Sequence, residues 1–487
     1  MPHQLTKTRF VEGWQCANLL WWKVHEPDAP ELEMSPALQD LFAQGRQVGE
    51  MARERFPGGV LIDLPHEATE ERLVATQAAL DRGVPAIFEG AFDTDGVFIA
   101  ADVLRREDDG FALIEVKSST KVKDEHIPDV ALQTHVLRAN GVDVRRVELM
   151  HLNKEYRHPN DGELFIREDV TAQVLDMLDG VPHRIEEQLA MLSDDFPNLG
   201  MGQQCAGMRD CPFHRRCWPD DRGHVLELSG KGVRKALELM AEGIDNIRDL
   251  PPDYKLSEVN RRQKQALEQN EMVVEPELGG VLESMEHPIG FLDFETVARA
   301  IPVWNGLGPW GAVPVQFSYH EERDAGQYHH VEWLADGQDD PREALAIALV
   351  ESCRRAGHIV VYTGFESRQL RHLQEAVPHL AEELGDIDRR LFDLHKVVKQ
   401  HVYHPDFAGS FSIKSVLPAL VPELSYDDLA IAEGLTASAE IARMMLTPGA
   451  FADGERDKLR QDLLAYCKLD TWAMVKLLER LEQVAGE

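Results

Sequence analysis

Apolar residues recur at helical spacing in the N-terminal part of the chain. Residues 4–22 place Cys16 among apolar and aromatic side chains, which predicts one buried helix. Ser35 and Pro36 supply an N-cap and a first-turn proline for a second helix, and residues 69–80 predict a third. The chain therefore starts with helices that have one apolar face.

Strand-like segments follow these helices and carry charged residues. Turn signals rich in Asp and Gly separate three apolar runs, at residues 86–92, 97–104 and 111–117. Because side chains alternate between the faces of a strand, Glu115 and Lys117 are expected on one face, with Asp102 at the end of the neighbouring strand. A carboxylate pair can hold a divalent metal, and a nearby lysine can orient the attacking water. The alternative is an ordinary exposed charged pair.

A second acidic pattern lies nearer the C-terminus. An apolar strand delivers Asp293 and Glu295, two residues apart, to one face, and another apolar strand ends at Glu366. On a long amphipathic helix, Tyr466 and Asp470 are four residues apart and share a face. Carboxylates gathered in this way are candidate ligands for divalent cations. The alternative is that the first two acids cap a strand and the tyrosine belongs to the core.

Four of the six cysteines form a candidate metal site. Cys205, Cys211 and Cys217 are six residues apart, and Cys16 lies far upstream. Four thiolates can carry a [4Fe–4S] cluster. Zinc ligands usually come as pairs two to four residues apart, so the spacing favours the cluster over a zinc site in which His214 replaces one thiol. Ordinary buried cysteines are the third interpretation.

Composition and charge limit the possible partners. The 487 residues, 43% of them hydrophobic, are enough for about three domains with substantial cores. No run of eighteen apolar residues and no signal-peptide pattern occurs, so we expect a cytoplasmic protein without a membrane partner. The net charge of −34 opposes unspecific binding to nucleic acid. A nucleic-acid partner would have to be held by local basic patches and by metal ions that neutralise carboxylates.

One local basic patch lies in a polar, helical segment at residues 219–288. Its glycine-rich turn and helix resemble a helix-hairpin-helix element, which would present backbone N–H groups and Lys231, Arg234 and Lys235 to phosphates. The alternative is a solvated helical spacer.

The N-terminal motifs resemble a nuclease family. The order of Asp102, Glu115, Lys117 and Gln133, bracketed by the cysteines, resembles the RecB-like branch of the PD-(D/E)XK nucleases, especially the CRISPR-associated iron–sulfur exonucleases. The resemblance covers about residues 4–218. It implies a metal-dependent nuclease core with these active-site residues, Gln133 assisting. The chain lacks the family's early histidine, and a leucine stands where the family has tyrosine; Glu89 is the substitute candidate for holding the metal.

The C-terminal motifs resemble the DnaQ-like DEDD exonucleases of the ribonuclease-H-like fold. This resemblance covers about residues 289–485 and implies that four acids bind two Mg²⁺ or Mn²⁺ ions while Tyr466 positions the water. The four acids are Asp293, Glu295, Glu366 and Asp470. The family has aspartate where Glu366 stands, so Asp393 is the substitute candidate. Along its full length the chain also resembles an uncharacterised bacterial family with this domain order.

Together, these patterns predict an α/β protein with three parts. We expect a PD-(D/E)XK domain at residues 1–218, a helical connector at 219–288 and a ribonuclease-H-like domain at 289–487. The expected function is metal-dependent hydrolysis of nucleic acid, DNA more than RNA, in DNA repair or in defence against foreign DNA. The expected cofactors are a [4Fe–4S] cluster and Mg²⁺ or Mn²⁺. The alternative is a binding scaffold in which one or both nuclease sites are reduced.

Overall fold

The chain forms two compact units with a mixed α/β fold. A computed structural model describes residues 4–206, 210–324, 326–426 and 429–486; Gly207–Arg209 of the cysteine motif lie outside this range. The first unit is Met1–Trp218 with Arg299–Trp310, and the second is Pro219–Ala298 with Gly311–Glu487. The segment expected to be a separate connector is thus part of the second unit.

A six-stranded sheet organises the first unit, in the order β1-β2-β3-β4-β5-β6. Its strands are β1 (Val60–Leu61), β2 (Ala86–Thr94), β3 (Val97–Glu107), β4 (Gly110–Lys117), β5 (Val144–Leu152) and β6 (Phe165–Asp169). Strands β2, β3 and β4 pair antiparallel, which confirms the predicted strands, whereas β5 runs parallel to β4. At the tight turn between β2 and β3, Asp95 and Gly96 take positive φ values of 50° and 79°, as the Asp-Gly signal predicts.

Eight helices of the described residues belong to the first unit. They are α1 (Lys7–Gln15), α2 (Ala17–His25), α3 (Pro36–Arg53), α4 (Thr69–Asp81), α5 (His126–Ala139), α6 (Thr171–Leu178), α7 (Val181–Ser193) and α8 (His214–Cys217). The predicted N-cap is confirmed, because Ser35 Oγ accepts a hydrogen bond of 3.2 Å from Leu38 N. Helices α1, α2 and α5 to α7 contribute to the core on one face of the sheet.

The prediction of one helix over residues 4–22 is wrong. Cys16 takes an extended backbone conformation, with φ −158° and ψ 127°, and it separates α1 from α2. This break lets Phe10 of α1 and Leu20 of α2 enter the same core. Apolar residues continue on both sides of a one-residue break, so periodicity alone does not reveal it.

A five-stranded sheet organises the second unit, in the order β10-β9-β8-β11-β12. The strands of this unit are β7 (Val273–Val274), β8 (Gly290–Ala298), β9 (Ala312–Asp324), β10 (Gln327–Leu334), β11 (Ile359–Val361), β12 (Leu391–Asp393) and β13 (Val402–Tyr403). Strands β8, β9 and β10 are antiparallel, and β11 runs parallel to both β8 and β12. Strands β7 and β13 form a separate antiparallel pair.

Ten helices of the described residues belong to the second unit. They are α9 (Gly232–Ala241), α10 (Glu258–Gln269), α11 (Leu278–Glu283), α12 (Arg342–Ser352), α13 (Phe365–Ala376), α14 (Ala381–Arg389), α15 (Leu394–His401), α16 (Ile413–Leu420), α17 (Gly434–Leu446) and α18 (Glu455–Ala485). The long predicted amphipathic helix is confirmed as α18, which has 31 residues. No helix among the described residues is both long and apolar enough to cross a membrane.

Candidate functional site

Three carboxylates converge where β8 faces α18. Asp293 and Glu295 lie two residues apart on β8 and therefore point to the same side of the sheet. Asp470 comes from α18, and ligand oxygens of all three residues lie within 4.8 Å of one another. Packing of α18 against β8 thus brings together three of the four acids expected in the C-terminal site.

Strand β9 fixes α18 on both sides of Asp470. Gln316 Nε2 donates a hydrogen bond of 2.9 Å to the carbonyl oxygen of Leu463, and Ser318 Oγ shares one of 2.7 Å with Thr471 Oγ1. Gln316 and Ser318 are the residues of β9 that pair with Glu295 and Asp293 of β8. The hydrogen bonds that hold the helix therefore start beside the two acids of the strand.

Glu366 reaches the site through a strained turn between β11 and α13. Thr363 has a positive φ of 100°, which is unusual for a β-branched residue, and its Oγ1 accepts a hydrogen bond of 3.2 Å from Phe365 N. Glu366 lies in the first turn of α13 with 2% of its surface exposed, and its Oε2 has no hydrogen-bond partner. Burial, together with the charge of Asp393, raises the pKa of Glu366 to about 8.

The substitute candidate Asp393 already has a structural role. Its Oδ1 accepts a hydrogen bond of 3.1 Å from Lys396 N and so caps α15, and its Oδ2 forms an ion pair of 3.1 Å with Lys396 Nζ. Glu366 is therefore the better fourth acid, because one of its oxygens is buried and free to bind a cation.

The four acids repel one another. Burial raises the pKa of Asp293, and the charges of Asp470, Glu295 and Glu366 raise it further, to well above its usual value. Burial, Asp470 and Glu366 likewise raise the pKa of Glu295. Within the described part of the chain, no ion pair with lysine, arginine or histidine reaches these carboxylates. Partly and fully buried carboxylates without an ion-pair partner fit a divalent cation.

Two tyrosines approach Asp470. Tyr466 is 4% exposed on α18, and Tyr426 donates a hydrogen bond of 2.7 Å from its hydroxyl to Asp470 Oδ1. Burial raises the pKa of Asp470, the hydrogen bonds from both tyrosines and the charge of Lys414 oppose this rise, and the resulting pKa is about 6. Tyr466 was predicted, but Tyr426 was not, since a single tyrosine in a loop gives no sequence signal.

Two further residues of this site were missed. Lys414, exposed in the first turn of α16, donates a hydrogen bond of 2.6 Å to the carbonyl oxygen of Ala432, and its charge lowers the pKa of Glu295. At the start of α17, a Cβ added to Gly434 would lie 3.7 Å from the Tyr466 hydroxyl and 3.9 Å from the Glu295 carboxylate oxygens. The start of α17 therefore lies within van der Waals distance of the tyrosine and of one acid. No sequence pattern around Lys414 or Gly434 indicates that either residue lies beside the acids.

The four residues expected at the N-terminal site also come together. Lys117 Nζ lies 2.8 Å from Glu115 Oε1, and Gln133 Nε2 donates a hydrogen bond of 2.8 Å to Glu115 Oε2. Asp102 Oδ2 accepts a hydrogen bond of 2.8 Å from Val116 N. The expectation that Asp102 ends its strand is wrong, because β2 continues to pair with β3 beyond it. Backbone pairing between β3 and β4 starts only at Val103. At Asp102, the side chain and not the backbone accepts the hydrogen bond from Val116 N of β4.

Two residues missed by the sequence analysis complete this cluster, Lys7 of α1 and Asp129 of α5. Lys7 Nζ lies 3.1 Å from Asp102 Oδ1 and 3.1 Å from Glu115 Oε2. Asp129 Oδ2 forms an ion pair of 2.6 Å with Lys117 Nζ. The spacing of Asp129 and Gln133, four residues apart on one helix, was an available signal; for Lys7 there was none.

Glu89, the substitute candidate of the first unit, pairs with Arg53 and not with the residues of this cluster. Its Oε1 forms an ion pair of 3.4 Å with Arg53 Nη2. Glu89 and Asp102 both line a cavity of about 500 Å³. Glu89 thus lies near the cluster without joining its hydrogen bonds.

The cysteines gather beside α2. Cys16, Cys211 and Cys217 pack against the apolar cluster of Leu19, Trp22, Ala29 and Phe213, and Cys205 is exposed. Burial raises the pKa of Cys211, and the neighbouring cysteines raise it further. Among the described residues, no three of the four sulfurs lie within 4.8 Å of one another. A tetrahedral zinc ion, with Zn–S distances of about 2.3 Å, would hold sulfurs about 3.8 Å apart.

Polar contacts tie the distant cysteine segments together. The Asn18 amide donates a hydrogen bond of 2.9 Å to the carbonyl oxygen of Leu199 and accepts one of 3.0 Å from Leu199 N. Arg216 forms ion pairs of 2.7 Å with Glu26 and 2.8 Å with Glu31. His214, the zinc alternative, is exposed, and its Nδ1 lies 3.1 Å from the carbonyl oxygen of Cys211. The segments are therefore positioned by contacts other than the thiols.

The candidate phosphate-binding residues lie at the start of α9. Gly230 and Gly232, on either side of Lys231, have positive φ values of 71° and 69°, as the turn prediction requires. Lys231 and Arg234 are exposed, whereas Lys235 forms an ion pair of 2.7 Å with Glu238. Two of the three basic side chains are thus accessible.

Comparisons with known proteins give little information about activity. A family model for a domain of unknown function (DUF2779) matches residues 290–412. The match includes Asp293, Glu295 and Glu366 and ends before Asp470. No curated protein matches the chain. A solved structure described as "Crystal structure of SSO0001" is similar with 13% identity and a TM-score of 0.24, over 45% of this chain and 87% of that chain. This likeness is too weak to support an argument about fold or function.

Proposed function

We propose that the second unit is a metal-dependent nuclease that hydrolyses phosphodiester bonds in nucleic acid, DNA more than RNA, in the manner of a 3'–5' exonuclease. The observation that carries the proposal is the convergence of Asp293, Glu295 and Asp470 within 4.8 Å, with Glu366 buried nearby. Carboxylates in such a group bind hard divalent cations and orient them toward a phosphate.

The residues present fit Mg²⁺ or Mn²⁺. Glu366 Oε2 has no hydrogen-bond partner although it is buried, and the other three acids carry raised pKa values that a cation would lower. Two such ions, when bound, activate a water molecule and stabilise the leaving oxygen. The Tyr466 hydroxyl lies beside Asp470 and Gly434, where it can orient that water. Lys414 adds a positive charge at the exposed side, which favours approach of a phosphate.

The sheet of the second unit supports a ribonuclease-H-like fold. Three antiparallel strands, β10, β9 and β8, are followed by the parallel strands β11 and β12. Asp293 and Glu295 lie on β8, the first strand of this sheet along the chain, and Asp470 lies on the last helix, α18, as the resemblance to the DEDD exonucleases implies. Glu366 lies on α13 between them in sequence. Fold-level similarity alone does not assign an activity, so the proposal depends on the acidic site.

For the first unit, we propose a RecB-like PD-(D/E)XK fold with a [4Fe–4S] cluster on Cys16, Cys205, Cys211 and Cys217. The four cysteines offer a complete set of thiolate ligands for such a cluster, and Cys16, Cys211 and Cys217 pack against the same apolar side chains. The cluster would join α2 to the segment around α8. Exposed Lys231 and Arg234 of the second unit are the proposed contacts to nucleic acid backbone.

A substrate panel tests the hydrolytic proposal. Labelled single- and double-stranded DNA and RNA are incubated with the full chain and Mg²⁺ or Mn²⁺, in a Lys117→Ala background that removes any contribution from the first unit. Asp470→Asn should lower cleavage by more than about a hundredfold, since even hydrogen-bond partners of metal ligands are worth about 10–100-fold. Asp457→Asn, an exposed aspartate on the same helix, is the matched control and should cleave normally. Equal cleavage by both variants would refute the proposal.

A further inference from the structure

An ammonium group occupies the position between the two carboxylates that the nuclease resemblance assigns to a metal. Lys7 Nζ lies 3.1 Å from Asp102 Oδ1, and it lies 3.2 Å and 3.1 Å from Glu115 Oε1 and Oε2. An ammonium carries three protons, and here three carboxylate oxygens lie within hydrogen-bond distance of it. Lys7 thus contacts both expected metal ligands at once.

Every carboxylate oxygen of this cluster has a hydrogen-bond donor. Lys7 serves three of the oxygens, and Val116 N donates to Asp102 Oδ2. Lys117 Nζ donates to Glu115 Oε1 at 2.8 Å and to Asp129 Oδ2 at 2.6 Å. Gln133 Nε2 donates to Glu115 Oε2 at 2.8 Å and to Asp129 Oδ1 at 3.0 Å. No oxygen of the three acids is without a donor, in contrast to Glu366 Oε2 of the second unit.

The charges of the cluster are nearly balanced. Three carboxylates face two ammonium groups, from Lys7 and Lys117, which leaves one net negative charge. At the acidic site of the second unit, four carboxylates have no ion-pair partner among the described residues, and Glu366 Oε2 is free. A divalent cation is therefore strongly favoured at the second site and would have to displace an ammonium at the first.

The backbone holds Lys7 in place. Leu5 is fully buried and pairs with Val97 of β3: Leu5 N donates to the carbonyl oxygen of Gly96, and Phe98 N donates to that of Leu5, both at 2.9 Å. Thr6 Oγ1 caps α1 by accepting a hydrogen bond of 3.3 Å from Arg9 N. The side chain therefore starts from a fixed point of the sheet and not from a loose terminus.

We propose that the Lys7 ammonium fills the cation position of the first site and that this site binds no divalent metal. The ammonium completes the cluster formed by Asp102, Glu115, Lys117, Asp129 and Gln133. The expected metal ligands of this unit are present, but they do not offer an open position for Mg²⁺ or Mn²⁺. The first unit then contributes binding and not metal-dependent cleavage. This inference depends only on contacts within the first unit and is independent of the activity proposed for the second.

Manganese binding tests the inference in the full chain. All variants are made in a background that carries Asp293→Asn and Asp470→Asn, which remove ligands of the second site. The proteins are purified without oxygen. Bound Mn²⁺ is measured from the loss of the free-ion electron paramagnetic resonance signal. With Lys7 in place, Glu115→Gln should not change the amount bound. Lys7→Met, which has similar length and no charge, should bind one additional Mn²⁺ per chain, and Glu115→Gln should remove it again.

The same Mn²⁺ measurement includes a control variant and two outcomes that would overturn the proposal. Lys121→Met removes an exposed lysine of the same unit and should bind no additional Mn²⁺. Mn²⁺ that binds while Lys7 is present and is lost in Glu115→Gln would overturn the proposal, and this comparison needs no change at Lys7. A folded Lys7→Met protein that gains no Mn²⁺ would overturn it as well. Failure of the nuclease assay would leave all of these results unaffected.

Discussion

Replacing Glu366 by glutamine removes a charge that destabilises the metal-free second unit. Burial raises the pKa of Glu366 to about 8, from 4.5 for an ordinary glutamate. The folded protein thus keeps a proton on Glu366 where the unfolded chain releases it. The stability from this proton is fully present below about pH 4.5 and is lost as the pH rises toward 8. Glutamine, which is neutral and of the same shape, has no such loss.

The size of the effect follows from the pKa difference. Each pH unit within the window costs about 1.4 kcal/mol of unfolding free energy per group. Between pH 6 and pH 8 the wild type should lose about 2 kcal/mol that the variant keeps, allowing for half-protonation at pH 8. For a unit of about 250 residues, this corresponds to about 4–8 °C in melting temperature. The stabilisation by Glu366→Gln should therefore be about 2 kcal/mol larger at pH 8 than at pH 6.

Differential scanning calorimetry in EDTA at pH 6 and pH 8 measures this effect. Comparing wild type with variant at each pH cancels contributions from the first unit. Glu375→Gln replaces an exposed glutamate on the same helix, α13, and should show no pH-dependent difference. With Mg²⁺ present the wild type should regain stability at pH 8, because cation binding requires the ionised carboxylates. An equal effect of Glu366→Gln at both pH values in EDTA would refute the reasoning.

Three other predictions concern single side chains. Tyr426→Phe removes a hydrogen bond that lowers the pKa of Asp470, so the acid limb of the pH–rate profile should move to higher pH; an unmoved limb would contradict this role. Lys414→Ala removes a positive charge near the acids and should tighten Mn²⁺ binding by up to about fivefold in titration calorimetry while raising the KM for oligonucleotide. Weaker Mn²⁺ binding would be inconsistent with this account. Cys16→Ala should abolish iron and sulfide in protein purified without oxygen and destabilise only the first unit in calorimetry, whereas stoichiometric zinc in a colourless wild type would rule out the cluster.

The parts of the sites that depend on local periodicity could be predicted from the sequence. Asp293 and Glu295 alternate on a strand, and Tyr466 and Asp470 repeat on a helix, so the geometry of one element determines which face they share. The same holds for Glu115 and Lys117. These pairs needed no knowledge of how the elements pack.

The remaining parts depend on tertiary contacts. Lys7 reaches Glu115 across 108 positions of the chain, and Tyr426 reaches Asp470 across 44. No local pattern marks such partners, because packing selects them. The helix break at Cys16 and the position of Asp102 within β3 could not be predicted for a related reason. Neighbouring elements determine where two strands stop pairing and where a helix breaks to pack on a core.

Anomalous scattering at the manganese edge, from crystals of the full chain grown with Mn²⁺, tests the central claim most directly. The account predicts two peaks about 4 Å apart among Asp293, Glu295, Glu366 and Asp470. Both should vanish or weaken strongly in Asp293→Asn. Well-ordered crystals in saturating Mn²⁺ that show no peak at these four acids would contradict the proposal that the second unit is a metal-dependent nuclease.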